Sequence, residues 1–236
     1  MVPVKSDPPD RLFHRQPPPA DPLADAKSAG FSPASGIELI PANYFAPVDL
    51  AQVFPRAAHL EIDLGCGDGA FLVAMAERFP ERNFLGIERL LGRVRSACGR
   101  AARHGLGNVR VLRVESSYAV KYLLPPGSIA VAHLLFPDPW PKKRHHRRRI
   151  VTREFVAAVR RLLAPGGQFR IVTDQADYFE SIRALLAGAA FAEETPDEVD
   201  AFPLTTFEKH FRAQGAPIHW LLLRKVASSR KAVARQ

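Results

Sequence analysis

Residues 60–72 read LEIDLGCGDGAFL, and this stretch decides the fold. A short apolar strand runs into three glycines, Gly65, Gly67 and Gly69, and apolar residues then recur at helical spacing from Phe71. Glycine lacks a Cβ, so the backbone can turn tightly there and approach a ligand closely. The stretch therefore predicts a strand, a ligand-binding turn and a helix.

The alternation of strand and helix continues towards the C-terminus. We predict strands over His59–Leu64, Asn83–Ile87, Val109–Val114, Ile129–Phe136, Phe169–Val172 and Ile218–Arg224. Repeated βα units of this kind predict an α/β fold with a doubly wound, mostly parallel sheet. In such sheets ligands bind outside the carboxyl ends of the strands. The polar residues that follow each predicted strand are therefore candidates for a functional site.

The composition narrows the class of protein. No apolar run reaches the length of about 18 residues that a membrane span needs, and the first residues are polar and proline-rich rather than a signal peptide. The two cysteines, Cys66 and Cys98, show no metal-ligand spacing. We therefore expect a cytoplasmic protein without a metal site. Residues 1–35 are expected to form a flexible tail, and residues 36–236 a single domain.

Three acids surround the glycines. The pattern Gly65-x-Gly67-x-x-Ala70 also matches the dinucleotide fingerprint. A pyrophosphate at the start of a helix disfavours neighbouring anions, however, whereas Glu61, Asp63 and Asp68 lie around this turn. A cationic ligand suits these acids better, and S-adenosylmethionine carries both an ammonium and a sulfonium.

Two later strand ends offer further polar groups for such a ligand. Glu88 ends the second predicted strand, at the spacing from the glycines where nucleotide folds place an acid that accepts from the ribose hydroxyls. Glu115 and Ser116 end the third, where they either accept from an adenine amino group or cap a helix.

Residues 136–149, FPDPWPKKRHHRRR, follow the fourth strand; we call them the proline–arginine loop. Each of its three prolines fixes φ and restricts the residue before it, so the loop is stiff. It holds one carboxylate, Asp138, and one large aromatic ring, Trp140. A block of positive charge follows: Lys142, Lys143, Arg144, Arg147, Arg148 and Arg149. Because the chain carries a net charge of +9, we expect this block to attract a nucleic-acid backbone.

Taken together, these motifs resemble the bacterial tRNA (guanine-N7)-methyltransferases, which are class I S-adenosylmethionine-dependent enzymes. The motifs at 60–72, 84–88 and 136–149 carry the resemblance, with TDQADYF at 173–179 and TTFEKHFRAQGAPI at 205–218. The resemblance implies a seven-stranded Rossmann-like methyltransferase sheet. It also implies methyl transfer to guanine N7 in the variable loop of tRNA, with S-adenosylhomocysteine as the second product.

The resemblance assigns roles to individual residues. It places Glu61, Glu88, Glu115 and Asp138 around the cofactor, with Asp138 also facing the reacting guanine. It assigns substrate contacts to Lys142, Asp174, Thr205, Thr206, Phe207 and Glu208. The arginines Arg144, Arg147, Arg148 and Arg149 are expected to grip tRNA phosphates.

Several alternatives remain open at this point. The pattern Thr205-x-x-Glu208 is also a capping box for a helix, and Asp174 could cap another. Trp140 could stack on a base, but packing within the loop is the stronger expectation. Two other functions compete with the N7 methyltransferase: a methyltransferase for exocyclic amines and a basic RNA-binding protein without catalysis. We expect no membrane association or obligate protein partner, and either a monomer or a homodimer.

Overall fold

The structure is a computed structural model that describes residues 36–195 and 202–226. The predicted tail over residues 1–35 lies outside the described residues. The strands are β1 Glu38–Leu39, β2 Leu60–Leu64, β3 Asn83–Glu88, β4 Val109–Arg113, β5 Ile129–Leu135, β6 Leu163–Thr173, β7 Phe191–Glu194 and β8 His219–Lys225. The α-helices are α1 Ala70–Arg78, α2 Leu91–Arg103, α3 Ser116–Tyr118, α4 Arg153–Leu162, α5 Ala176–Leu186 and α6 Thr206–Ala213.

The strands form one sheet in the order β1-β4-β3-β2-β5-β6-β8-β7. All neighbouring pairs from β1 to β6 are parallel, whereas β8 runs antiparallel to both β6 and β7. The structure confirms the mostly parallel α/β class. The expected seven strands are accompanied by β1, a two-residue edge strand within a stretch where no strand was predicted.

Helices cover both faces of the sheet and bury two apolar clusters. On one face, α1 and α2 contribute Phe71, Met75 and Ala97. On the other, α4 and α5 contribute residues such as Phe155 and Tyr178. Burying one such large side chain stabilises the fold by roughly 1.5–3 kcal/mol, so the two clusters fix the helices against the sheet.

β6 starts six residues earlier than the predicted strand Phe169–Val172. Its pairing with β5 shifts register between Ile129 and Val131, because Ile129 faces Leu163 and Val131 faces Gln168. The sequence Pro165-Gly166-Gly167 lies in this irregular part of the strand. A bulge of this kind admits extra residues on one strand without breaking the sheet.

The parallel strands β2, β3, β4 and β5 all end at the same edge of the sheet. This edge therefore gathers the glycine turn (residues 65–69), the residues after β3 and β4, and the proline–arginine loop. Across residues 36–195 and 202–226, no helix is long and apolar enough to cross a membrane.

Candidate active site

The glycine turn is shaped by backbone conformations that only glycine adopts at low cost. Gly65 and Gly67 have φ values of +87° and +58°, in the left-handed region. The Gly65 and Cys66 N–H groups both donate to the Ile87 carbonyl, over 2.8 and 3.0 Å. These two bonds hold the turn against the end of the neighbouring strand β3. The turn therefore lies at the carboxyl ends of the strands.

Glu88, at the end of β3, braces the same turn with its side chain. One carboxylate oxygen accepts from Gly67 N–H over 3.2 Å, and the other accepts from Leu90 N–H over 2.9 Å. The residue is buried. Two backbone donors therefore fix the orientation of this carboxylate beside the glycines, and each oxygen keeps a lone pair for a ligand.

Asp63 is the second buried acid at this edge. Burial raises its pKa from 3.8 to about 7; the negative charge of Glu88 adds to the rise, and the positive charge of Arg170 opposes it. Only 3% of its surface is exposed. Removing a carboxylate from water favours its neutral form unless cations compensate, and here the compensation is incomplete. A cationic ligand at this position would stabilise the ionised form of Asp63.

Glu61, expected at the cofactor, is buried and paired within the sheet. It is two residues nearer the start of β2 than Asp63, and its oxygens lie 2.8 Å from Arg82 Nη1 and 2.9 Å from His133 Nε2. Burial alone would raise the pKa of Glu61, but the two partners outweigh burial and hold the pKa below its ordinary value. These two partners anchor Glu61 within the sheet, and its contact with the cofactor stays a prediction. Asp63 lies two residues nearer the turn.

Asp68, the third acid near the glycines, is already paired. Its Oδ2 lies 2.7 Å from Arg100 Nη2, and its Oδ1 accepts from Ala70 N–H over 3.1 Å. These contacts tie the start of α1 to α2. Asp63 and Glu88 are consequently the two acids around the turn that the sheet edge presents for a ligand.

Glu115 and Ser116 follow β4, as predicted. Glu115 is the N-cap of α3, and its Oε2 accepts from Tyr118 N–H over 2.9 Å. Ser116 is buried beside it. Glu115 therefore caps the helix, and the residue remains exposed.

The proline–arginine loop leaves β5 in a strained conformation. Phe136 and Trp140 have positive φ values, 51° and 40°, although neither is glycine. Such conformations cost of order 1–3 kcal/mol each and persist only where the surroundings enforce them. Between them, Asp138 is exposed, three residues beyond the end of β5. Among the described residues, no hydrogen bond engages its carboxylate.

Trp140 packs within the loop. The Arg148 guanidinium lies 4.8 Å from the centre of its ring, and the ring of His145 meets it edge-on at 5.9 Å. These contacts favour the packing role that we expected for the ring over stacking on a base.

The basic residues of the loop divide into two groups. Residues Lys143–Arg148 form a short 3-10 helix that exposes Arg144, Arg147 and Arg148, while Lys142 is half-buried. Arg149 differs because only 7% of its side chain is exposed. Its guanidinium donates to the Pro139 carbonyl over 2.7 Å and to Ser181 and Asp177 on α5 over 3.2 and 2.9 Å. These contacts hold the loop to α5, and the expected phosphate contact of Arg149 stays a prediction.

The Thr205–Glu208 motif forms a helix cap. Thr205 Oγ1 accepts from Glu208 N–H over 2.9 Å at the start of α6. The Glu208 carboxylate is buried and accepts from Arg212 Nη2 over 2.8 Å. Phe207 is half-buried, and its ring lies 6.4 Å from that of Phe136. This contact brings the motif beside the start of the proline–arginine loop.

Asp174 follows β6 and is half-buried. Gln175 Nε2 donates to its Oδ2 over 2.6 Å. Gln175, rather than Asp174, is the N-cap of α5, so the alternative role in capping does not apply.

The structure thus gathers nearly all predicted residues at one edge of the sheet. Glu61 and Arg149 both have partners inside the protein. The sequence analysis missed Arg170, because its position inside a strand gave no signal of a role at the site.

Solved methyltransferases share this architecture. The antibiotic-resistance methyltransferase Kmr matches with a TM-score of 0.54 and 21% identity, covering 77% of this chain and 93% of its own. The 16S rRNA methyltransferase KamB matches with a TM-score of 0.56 and 16% identity, covering 77% and 95%. At these identities the likeness establishes the fold, which is that of the S-adenosylmethionine-dependent methyltransferases.

Sequence comparison narrows the class to a family. Residues 57–221 match a family model described as a putative methyltransferase. The tRNA (guanine-N(7)-)-methyltransferase of Aeromonas hydrophila is 37% identical over 200 residues, covering 82% of this chain and 83% of that protein. The corresponding protein of Geobacter metallireducens is 36% identical over 195 residues, covering 80% and 92%. The chain belongs to the tRNA (guanine-N7)-methyltransferase family, which confirms the resemblance seen in the sequence.

Proposed function

We propose that this protein transfers the methyl group of S-adenosylmethionine to N7 of a guanine in the variable loop of tRNA. The placement of Asp138 carries the proposal. Its exposed carboxylate is held on a strained loop that starts at the sheet edge of Asp63 and Glu88 and continues into the exposed arginines. A methyl donor bound at the acids and an RNA bound at the arginines would meet at Asp138. The names of the relatives supply the choice of tRNA.

On the cofactor side, the chemistry of the buried acids fits S-adenosylmethionine. Burial raises the pKa of Asp63, Arg170 offsets this only in part, and the ammonium of the cofactor would supply a further positive partner. Glu88 retains lone pairs for the ribose hydroxyls, and Gly65 and Gly67 let the backbone approach. Glu115 and Ser116 would border the adenine. No metal is required for any of these contacts.

On the substrate side, the groups around Asp138 suit a guanine and its phosphates. Lys142 within the loop and Asp174 after β6 are half-buried, while Thr206 is exposed and Phe207 half-buried at the start of α6. Thr205 and Glu208 shape that helix start through the cap. Arg144, Arg147 and Arg148 would contact phosphates from outside.

The reaction requires no general base, because the nucleophile has no proton to lose. S-adenosylmethionine supplies an electrophilic methyl group, and guanine N7 supplies a lone pair with no proton to remove. The N7–carbon bond forms as the carbon–sulfur bond breaks, and sulfur leaves with the electron pair as the thioether of S-adenosylhomocysteine. Positive charge passes to the base, so the residues act by in-line positioning and electrostatic support, for which Asp138 is placed.

The test uses an unmodified tRNA transcript with labelled S-adenosylmethionine. We expect N7-methylguanosine at one variable-loop guanine. A matched transcript with 7-deazaguanine at that site replaces the nucleophilic nitrogen by C–H, and we expect no product from it. Methyl transfer to an exocyclic amine would support the competing methyltransferase, and binding of both ligands without transfer would support the non-catalytic RNA-binding protein; either result overturns the proposal.

A further inference from the structure

A row of three polar residues crosses the centre of the sheet. Asp63 on β2 lies opposite His133 on β5, which in turn lies opposite Arg170 on β6. Side chains at matched positions of neighbouring parallel strands point to the same face. Arg170 therefore lies on the face that carries Asp63, two strands away from the glycine turn.

The Arg170 guanidinium touches parts of both halves of the proposed site. Its Cζ lies 4.2 Å from the ring centre of Phe202 and 5.7 Å from that of Phe71. Phe71 belongs to α1, the helix that starts at the glycine turn. Phe202 belongs to residues 202–212, which contain the Thr205–Glu208 motif and which we call the substrate segment. Cation–π contacts at these distances are attractive, so one side chain bridges the two elements.

Two buried acids of the same region attract the positive charge of Arg170. Glu208 of the substrate segment and Asp63 beside the glycine turn are both buried. Both attract the positive charge of Arg170, and Glu208 attracts it more strongly. Burial lowers the pKa of Arg170 to about 10, so the group stays protonated at neutral pH. Arg212 also pairs with Glu208, but its side chain is 44% exposed. Arg170 is the interior cation that the two acids share.

Resting on the proposed function, we infer that Arg170 is a positioning residue that couples cofactor binding to the placement of the substrate segment. With the cofactor bound, Asp63 would be neutralised by its ammonium, which would also repel the guanidinium of Arg170. Arg170 then interacts more fully with Glu208 and Phe202, which holds the substrate segment in place for tRNA. By linkage, tRNA must strengthen cofactor binding by the same factor.

The test measures this coupling directly. S-adenosylhomocysteine keeps the ammonium but cannot react, so its Kd is measured by calorimetry with and without unmodified tRNA. For the wild type we expect tRNA to lower the Kd at least fivefold, the lower range of typical allosteric coupling. In Arg170→Met, similar in size but neutral, we expect the factor to fall to about one, with the Kd in the absence of tRNA within threefold of wild type.

Two control variants separate coupling from general damage. Arg170→Lys keeps the charge and should keep most of the coupling, whereas Arg183→Met removes an exposed arginine of α5 outside the substrate segment and should leave the factor unchanged. If Arg170→Met folds poorly, the double variant Arg170→Met/Glu208→Gln removes both charges, and its factor should also be about one.

The outcomes distinguish this inference from the proposed function. A wild type that methylates tRNA but shows a factor of one, or an Arg170→Met protein with wild-type coupling, overturns the role of Arg170 alone. A wild type that shows coupling but forms no N7-methylguanosine overturns the proposed function alone.

Discussion

Arg149 Nη2 lies 2.9 Å from Asp177 Oδ2, so the last arginine of the proline–arginine loop is bonded to the first turn of α5. The same guanidinium lies 4.5 Å from the ring centre of Tyr178. The basic residues of the loop look alike in the sequence, but Arg149 has a structural role. Arg149 determines where the loop lies, and its exposed neighbours determine what the loop attracts.

Arg149→Ala is expected to destabilise the protein. The substitution removes three hydrogen bonds of a charged donor, while Asp177 remains largely exposed and can be hydrated. We expect the free energy of unfolding to fall by about 2 kcal/mol, measured by denaturant titration. Arg147→Ala is the matched control and should change it by less than about 0.5 kcal/mol. Equal stability of the two variants would contradict the anchoring role.

Replacing Arg144 and Arg147 by alanine is expected to weaken tRNA binding and its dependence on salt. For each phosphate that is no longer neutralised, the slope of log Kd against log salt concentration should decrease by roughly 0.7–0.9. The control is Arg78→Ala/Arg103→Ala, which removes two exposed arginines from the last turns of α1 and α2, at the opposite edge of the sheet. Identical slopes in both double variants would mean that net charge alone attracts the RNA.

Asp138→Asn is expected to affect the reaction more than binding. The amide keeps the size of the side chain but loses the charge that would support the developing cation on guanine. We expect kcat to fall by about 10²-fold or more, with the Kd for tRNA within threefold. Single-turnover methyl transfer and filter binding supply the two values. A parallel loss of both would assign Asp138 to the structure of the loop.

Asp63 should give the protein a characteristic dependence on pH. Its pKa is raised from 3.8 to about 7, so the folded state binds this proton more tightly than the unfolded state. Stability contributed at this position is therefore present at low pH and is lost as the pH rises from about 4 to about 7. In Asp63→Asn we expect that fall to disappear, measured as the free energy of unfolding across this window. Asp68→Asn, on the outside of the same turn, should retain the wild-type profile; a profile unchanged in Asp63→Asn would refute the assignment.

Glu61→Gln distinguishes an anchor from a cofactor ligand. The amide cannot serve both Arg82 and His133 as the carboxylate does, so we expect a loss of about 1–3 kcal/mol in the free energy of unfolding. The Kd for S-adenosylmethionine, measured by calorimetry on the folded variant, should stay within twofold. A loss of cofactor affinity by tenfold or more at wild-type stability would show that Glu61 is a cofactor ligand.

The sequence predicted the elements whose signals are local. A cluster of glycines after a strand indicates a turn, and parallel strands end at one edge of the sheet. The sequence therefore predicted that the glycine turn and Asp138 lie at the ends of their strands. Burial and pairing are not local. Glu61 and Asp63 are two residues apart on the same face of β2, and only the positions of Arg82 and His133 show which acid is already paired. Arg149 and Arg170 reveal their roles only through elements far away in the chain.

The last strand, β8, is inserted between β6 and β7 rather than added at an edge of the sheet. The order of synthesis on the ribosome therefore separates the two halves of the site. The glycine turn and the strands up to Asp138 emerge first, whereas the substrate segment can dock only after residues 219–225 have emerged and paired. A nascent chain should thus complete the glycine turn and the strand before Asp138 well before the substrate segment reaches its final position.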